Sequence, residues 1–339
     1  MKILVTGGAG FIGSEYVRGL LAGELDDGTD RRVANERGAS HEHSVTVYDK
    51  LTYSGNLANL APVAEDPRYS FVKGDIVNTE LLDHVLPGHD AIVHFAAETH
   101  VDRSITDPTS FVRTNVLGTQ LLLDAARRHK VERFLHVSTD EVYGSIAEGS
   151  WTEDWPLAPN SSYSAAKAGS DLLALAAART HGQDVVVTRC SNNYGQYQFP
   201  EKVVPLFVTN LLDGGRVPLY GDGGNVRDWL HVSDHVRGIH LALTKGRGGQ
   251  VYNIGGGTEL TNKELTQRLL DACGADWGSV DNVPDRKGHD RRYSLDITKI
   301  STELGYTPRV TFDEGLARTV QWYRDNRAWW EPLKAKAAL

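Results

Sequence analysis

The 339 residues, 40% hydrophobic and 24% charged, are enough for one large or two modest enzyme domains, and 34 glycines without a fixed period exclude collagen-like and disordered classes. A formal net charge of -8 lacks the basic face that nucleic acid or anionic lipid demands, so neither is expected as a partner. Cys190 and Cys273 are too few for a disulfide framework and lack metal-ligand spacing, and no run approaches the ~20 apolar residues of a membrane span, so a cytoplasmic chain with free thiols and no metal is expected.

Short β-branched runs at 2–6, 44–48, 69–73, 91–95, 133–138 and 185–189 alternate with helical periodicity at 14–21, 112–129 and 165–180. That alternation predicts an α/β fold with a Rossmann-type doubly wound parallel sheet. The first strand runs into VTGGAGFIGS, where Gly7, Gly10 and Gly13 open the first helix. Glycines there let the backbone turn tightly against a pyrophosphate whose charge meets the helix N-terminus, so a dinucleotide site is expected. Residues 22–43 are polar, with His41 and His43 outside any partnered motif, and read as an extended surface loop.

The second strand leads to Asp49, a carboxylate suited to the adenosine ribose hydroxyls and repulsive to a 2′-phosphate, which favours NAD over NADP. Lys50 beside it weakens that argument. Asp75 follows the third strand, placed for the adenine edge or as a simple acidic turn; Ala96 and Ala97 follow the fourth, small enough for a cofactor to pass or simply to pack. Tyr163 and Lys167 form YxxxK, one helical turn apart on one face. A nearby ammonium favours the phenolate, making Tyr163 a candidate base for a sugar hydroxyl, although the pair alone is equally a surface feature. From about residue 194 the alternation weakens and PLYGDGGNVRDW and NIGGGTELTN break the elements. This predicts a cofactor domain over 1–193, catalytic residues included, and a smaller α/β substrate region over 194–339, parts of which can return to the first. A last helix over 312–327 precedes Trp329 and Trp330, expected to pack the terminus.

Together the glycine turn, the YxxxK pair and the upstream threonine resemble the extended branch of the short-chain dehydrogenase/reductase family over nearly the whole chain. More narrowly, Thr139, Asp140 and Glu141 in HVSTDEVYG resemble the Thr-Asp-Glu signature of its dTDP-glucose 4,6-dehydratases, as do AAETHVDRSI, RCSNNYGQYQFPEKVVPLF, LYGDGGNVRDWLHVSDH and DRKGHDRRYSLD. Thr99 stands where that group has Ser, and Lys287 where it has Pro. The resemblance implies NAD held by Gly7, Gly10, Phe11, Ile12, Gly13, Asp49, Lys50, Thr52, Asp75, Ile76, Ala96, Ala97, Thr99, Thr114, Tyr163, Lys167 and Asn193. It implies a nucleotide-sugar substrate, dTDP-glucose, among Thr99, Thr139, Asn192, Lys202, Val203, Pro218, Tyr220, Arg227, Asn262, Arg286 and His289, with Arg227 and Arg286 best suited to phosphate. A cytoplasmic homodimer, paired through helices of the cofactor domain, is implied by the same analogy.

Oxidation at sugar C4 acidifies the C5 proton, and loss of water across C5 and C6 then needs a base at C5 and an acid at C6. Two adjacent carboxyls suit that need, because like charges disfavour double ionisation. The resemblance makes Glu141 the base and Asp140 the acid, with Tyr163, Lys167 and Thr139 serving the hydride step; hydride returns to C6 and NAD is regenerated. A UDP-sugar 4-epimerase or decarboxylase of the same fold would share the glycines and YxxxK but not the Asp-Glu pair. A nonenzymatic NAD-binding protein would need none of the five.

Overall fold

Runs of aliphatic residues, buried on both faces except at the edge strand Tyr69–Lys73, build the main sheet, whose first six strands are β1 (Lys2–Thr6), β2 (Ser44–Asp49), β3 (Tyr69–Lys73), β4 (Ala91–His94), β5 (Arg133–Thr139) and β6 (Val185–Cys190). The computed structural model describes residues 1–25 and 43–337. After β6 come β7 (Asn192–Tyr194), β8 (Val217–Tyr220), β9 (Val226–His231), β10 (Val251–Ile254), β11 (Glu259–Thr261) and β12 (Val280–Val283). The main sheet has the order β10-β6-β5-β4-β1-β2-β3, and every neighbouring pair is parallel. The chain reverses direction across the sheet between β1 and β4. That switch point opens a crevice at the strands' carboxyl ends, where a doubly wound sheet binds its ligand.

One face is covered by the helices Phe11–Ala22 and Val232–Lys245, the other by Thr119–Arg128 and Ser162–His181. Of the polar segment 22–43, residues 26–42 lie outside the described residues. Of its described ends, Ala22 closes the first helix, whereas 23–25 and 43 are outside helix and strand, with Leu25 and His43 buried.

The continuous helix expected over 112–129 is instead a π-helix, Val112–Gly118, running into the α-helix Thr119–Arg128. Packing explains the wider turn. Gly118 lies so close to Ile76 that a Cβ would sit 2.6 Å from its Cδ1. Asn115 turns inward, and its side chain exchanges two hydrogen bonds of 2.9 Å with the Glu98 backbone. Such widened turns re-aim side chains and recur at functional sites.

The second lobe stacks the sheet β11-β9-β7 and the pair β12-β8 against the helices Val203–Leu212, Asn262–Cys273 and Phe312–Asp325, around Phe207, Trp229, Leu265 and Trp330. Residues 232–254 do not stay there: Val236, Ile239, Tyr252 and Ile254 rejoin the first core, and β10 becomes the sheet's seventh strand. Trp330 is fully buried and donates its Nε1–H to the Tyr323 carbonyl at 2.7 Å. Trp329 reaches the other lobe, donating to Asn59 Oδ1 at 3.0 Å.

Candidate active site

The crevice at the switch point is a cavity of about 310 Å³, within the size range of small-molecule sites. Its floor is the glycine turn. Gly7 holds φ +69°, and a Cβ there would meet the Ala96 backbone nitrogen at 2.6 Å; a Cβ at Gly13 would run into the Gly7 carbonyl. The helix Phe11–Ala22 starts at Gly10 with no capping side chain and no acidic residue in its first turn. Its first amides and dipole therefore face the cavity ready for an anion, which fits a pyrophosphate.

Asp49 closes the far end of that floor. Its Oδ2 accepts from the Ala9 amide at 3.0 Å and its Oδ1 from the Leu51 amide at 2.7 Å, which fixes the carboxylate at the cavity edge. Lys50 does not offer a free cation to a 2′-phosphate, because its ammonium pairs with Asp75 Oδ2 at 2.7 Å. These residues fit NAD: an anion cradle, a fixed ribose-side carboxylate, and a neutralised lysine.

At the other end the carboxyl termini of β5 and β6 meet the first turn of Ser162–His181. Ser161 and Ser164 close a capping box on that helix, so it begins three residues before the expected 165 and carries Tyr163 in its first turn. Tyr163 is 8% exposed and Lys167 5%. The Lys167 ammonium donates to the Val137 carbonyl at 2.7 Å, and burial pulls it down to about 8. Burial, with the Glu141 charge, holds the Tyr163 phenol well above its ordinary range. The lysine alone therefore does not ionise Tyr163.

Thr139 orders the carboxyl pair: it donates to Asp140 Oδ1 and accepts from the Glu141 amide, both at 3.3 Å. Asp140 is 2% exposed, and burial followed by the charges of Glu141 and Asp228 holds its carboxyl well above the usual range. Glu141 is raised by burial, but the cations of Lys202, Arg227 and Arg286 pull it back. The arrangement offers a carboxyl held toward its protonated form beside a second whose rise nearby cations oppose, with a phenol and a lysine amine one helix turn apart. Cys190 lines the same cavity, but burial pushes its thiol up, which leaves it a poor nucleophile.

Every residue expected at the cofactor lines this cavity, as do Thr139, Asp140, Glu141, Asn192 and Lys202. Val203, Pro218, Tyr220, Arg227, Asn262, Arg286 and His289 lie outside the lining. Pro218 and Tyr220 sit on β8, Val203 and Asn262 open helices, and Arg286 and His289 stand on the segment between β12 and the bridge at Arg292. Arg286 lies 5.7 Å from the Tyr220 ring and 3.7 Å from Asp102. Arg227 stacks on Tyr293 at 4.0 Å and donates to the carbonyls of Val226 and Asp290. Ser54, Glu98, Ser138, Cys190, Gln198 and Glu201 also line the cavity without having been singled out. Ser138 and Cys190 could have been found from their places at strand ends; Gln198 and Glu201 lie within RCSNNYGQYQFPEKVVPLF but carry no spacing that marks them.

The family model described as GDP-mannose 4,6 dehydratase matches residues 4–319. A dTDP-glucose 4,6-dehydratase of Streptomyces niveus is 64% identical over 99% of this chain and 96% of its own length. A crystal structure of the dTDP-glucose 4,6-dehydratase of Streptomyces venezuelae with NAD bound has a TM-score of 0.93 at 63% identity, covering 98% of this chain and 100% of that one. The UDP-glucose 4-epimerase of Thermus thermophilus in complex with NAD reaches a TM-score of 0.84 at 32% identity, covering 96% of this chain and 100% of that one. The fold is thus shared with epimerases while the high identity is to dehydratases, and the chain belongs to the dTDP-glucose 4,6-dehydratase family, within the extended short-chain dehydrogenase/reductases.

Proposed function

We propose that this chain is a hydro-lyase that converts dTDP-glucose to dTDP-4-keto-6-deoxyglucose, with NAD held between the glycine turn and Asp49 at one end and Tyr163, Lys167 and Asn193 at the other. The observation that carries the reading is the Asp140–Glu141 pair, set beside Tyr163 in one cavity. An epimerase has no use for an acid and a base beyond its hydride machinery. NAD supplies the reversible hydride acceptor, taken up from C4 and given back at C6, so the reaction has no net redox change.

Tyr163 removes the C4 hydroxyl proton, with Thr139 placed to hydrogen-bond the reacting oxygen and Lys167 one helix turn away. The phenol first gives up its own proton to solvent, against burial and the Glu141 charge, and the phenolate oxygen then takes the proton of the C4 hydroxyl as hydride leaves C4. Glu141 takes the C5 proton; burial favours its protonated form, and Lys202, Arg227 and Arg286 counter that. Asp140, kept protonated, delivers its proton to the departing C6 oxygen. Arg227 and Arg286 serve the diphosphate from the second lobe, with Pro218, Tyr220, Asn262 and His289 toward the nucleotide.

We also infer a homodimer working in the cytoplasm. Ile105, Val112, Leu117 and Leu172 are large apolar side chains, each 47 to 59% exposed, on helices of the cofactor lobe. Among the described residues no helix is long and apolar enough to cross a membrane.

The deciding experiment is mass analysis of dTDP-glucose and UDP-glucose incubated separately with the purified protein and no added reductant. Loss of one water from the dTDP sugar is the expected result. An unchanged mass with a new chromatographic isomer would replace dehydration with epimerisation.

A further inference from the structure

Three loops that share no strand pairing are tied together over the cavity. The first follows β2 and contributes Lys50, Thr52, Ser54 and Gly55 to the lining; the second follows β4 with Glu98 and Thr99; the third follows β7 with Phe199, Glu201 and Lys202. Tyr53 of the first loop donates its hydroxyl to Glu201 Oε1 of the third at 2.9 Å, across 148 residues of sequence. Its ring meets Phe199 edge-on at 5.5 Å. Arg103, just beyond the second loop, lies 3.9 Å over the Tyr53 ring with its Nε 3.6 Å from Glu201 Oε2. His100 approaches the same oxygen at 3.8 Å, and Lys202 donates to the Thr99 carbonyl at 3.0 Å.

The outer loops are also anchored from behind. The Asn56 amide donates to the carbonyl of Ala9 in the glycine turn at 3.0 Å, so the first loop is fixed at its base to the cofactor cradle and at its tip to Glu201. Tyr197 holds the third loop: its ring lies 4.5 Å from Trp322, 5.6 Å from Trp329 and 4.2 Å from the Arg18 guanidinium. Leu51 and Tyr197, one in each of these loops, adopt positive φ, 56° and 63°, without being glycine. That conformation persists only where the surroundings over-determine it.

We infer that Tyr53, Glu201 and Arg103 form a clasp that must open for NAD to leave, and that the clasp sets cofactor retention rather than the rate of the chemistry. This rests on the dehydratase reading, in which the nicotinamide ends each cycle as it began and gains nothing by exchange. The Tyr53 hydroxyl does not line the cavity, so its contribution is to hold Glu201 and the third loop in place.

The test loads the full-length protein with isotopically labelled NAD, chases with excess unlabelled NAD in the absence of any sugar, and follows label release for wild type, Tyr53→Phe, Glu201→Gln and the double variant. Tyr53→Phe removes the hydrogen bond to a charged acceptor, and Glu201→Gln removes the charge that accepts it and that pairs with Arg103, so release should quicken about tenfold or more. The double variant should release no faster than the quicker single, because both remove the same link. With NAD saturating, Tyr53→Phe should turn over within about twofold of wild type, and without added NAD it should lose activity faster during dilution. Release at the wild-type rate in both single variants would overturn the clasp, and so would effects that multiply in the double. Phe retains the ring contacts, and a thermal melt of each variant identifies any that has merely lost its fold; the Glu201→Gln and double-variant rates then decide. A wild-type protein that fails to dehydrate dTDP-glucose while the variants release NAD quickly would remove the function and leave the clasp; dehydration with unchanged release would do the reverse.

Discussion

Asp140 and Glu141 are neighbours in the chain and burial raises both, but their charged surroundings differ: the carboxylates of Glu141 and Asp228 raise Asp140 against the cation of Arg227, whereas the cations of Lys202, Arg227 and Arg286 oppose the rise at Glu141. Asp228 is itself fixed, accepting from the amides of Gly256 at 3.0 Å and Thr258 at 2.9 Å. A third carboxyl, brought in by β9, thus helps the first stay protonated while the second lobe's cations counter the rise at the other. The acid and the base are told apart by what faces them.

That separation predicts two different failures. Glu141→Gln removes the C5 base, so solvent deuterium should no longer enter C5 although some reduced nicotinamide still forms with the sugar. Asp140→Asn keeps the hydrogen bonding but cannot deliver a proton, so C5 exchange should continue while water loss slows by about 10²- to 10⁴-fold. Mass analysis of the sugar recovered from heavy water reads both. Full dehydration by Glu141→Gln would remove it from the base role.

The Tyr163–Lys167 pair predicts an opposition between activity and stability. Burial draws the Lys167 ammonium down to about 8 from an ordinary 10.5, so below pH 8 both folded and unfolded chains are protonated and the fold bears the whole cost of the buried charge. Between about 8 and 10.5 the unfolded chain binds more protons and the cost is progressively lifted as pH rises. Lys167→Met should therefore stabilise NAD-free protein at pH 7 by on the order of 1 kcal/mol, after allowing for the lost bond to Val137, with the advantage shrinking toward pH 10. The same variant, like Tyr163→Phe, should lose most of the first hydride step. Urea melts at the two pH values, with nicotinamide absorbance in single turnovers, check both halves.

Much of this site was readable before the fold was known, because strand-end chemistry is local. Gly7, Asp49, Thr139 and Tyr163 each follow a short apolar run or open a helix, and a parallel sheet brings such ends to one crevice whatever the loops between them do. What could not be read depends on long-range packing. The π-helix at Val112–Gly118 answers to Ile76 and Glu98, neither of which is near it in sequence. The return of β10 to the main sheet depends on the helix Val232–Lys245 packing against Phe11–Ala22. Tyr53 and Glu201 meet across 148 residues, and no spacing announces that. Burial and the Glu141 charge hold the Tyr163 phenol well above its ordinary range, against the expectation that the ammonium would favour a phenolate.

On the proposed reading Asp49 carries the cofactor preference, since Lys50 is tied to Asp75. Asp49→Ala should weaken NAD binding by about tenfold or more, having lost a charged acceptor for the ribose and the carboxylate that fixes the Ala9 and Leu51 amides. Discrimination against NADP should narrow more than NAD affinity falls, because the repulsion of a 2′-phosphate disappears with the charge. Titration of both dinucleotides by calorimetry separates the two effects; unchanged NAD affinity would move the ribose contact elsewhere.

The exposed apolar side chains of the cofactor lobe lead to the last prediction. Val112 is 55% and Leu172 59% exposed, on adjoining helices whose opposite faces pack into the lobe through Phe111, Ala166 and Asn115. Leaving them in water forgoes about 25 cal/mol for each Å² of apolar surface, a loss a self-complementary partner face would recover. Val112→Glu and Leu172→Glu each place a charge on that face, and in a two-fold interface each charge is introduced twice. Either variant should sediment as a monomer while retaining NAD, because neither residue lines the cavity. A wild-type monomer, or variants whose mass stays that of a dimer, would show that this face is not where two copies meet.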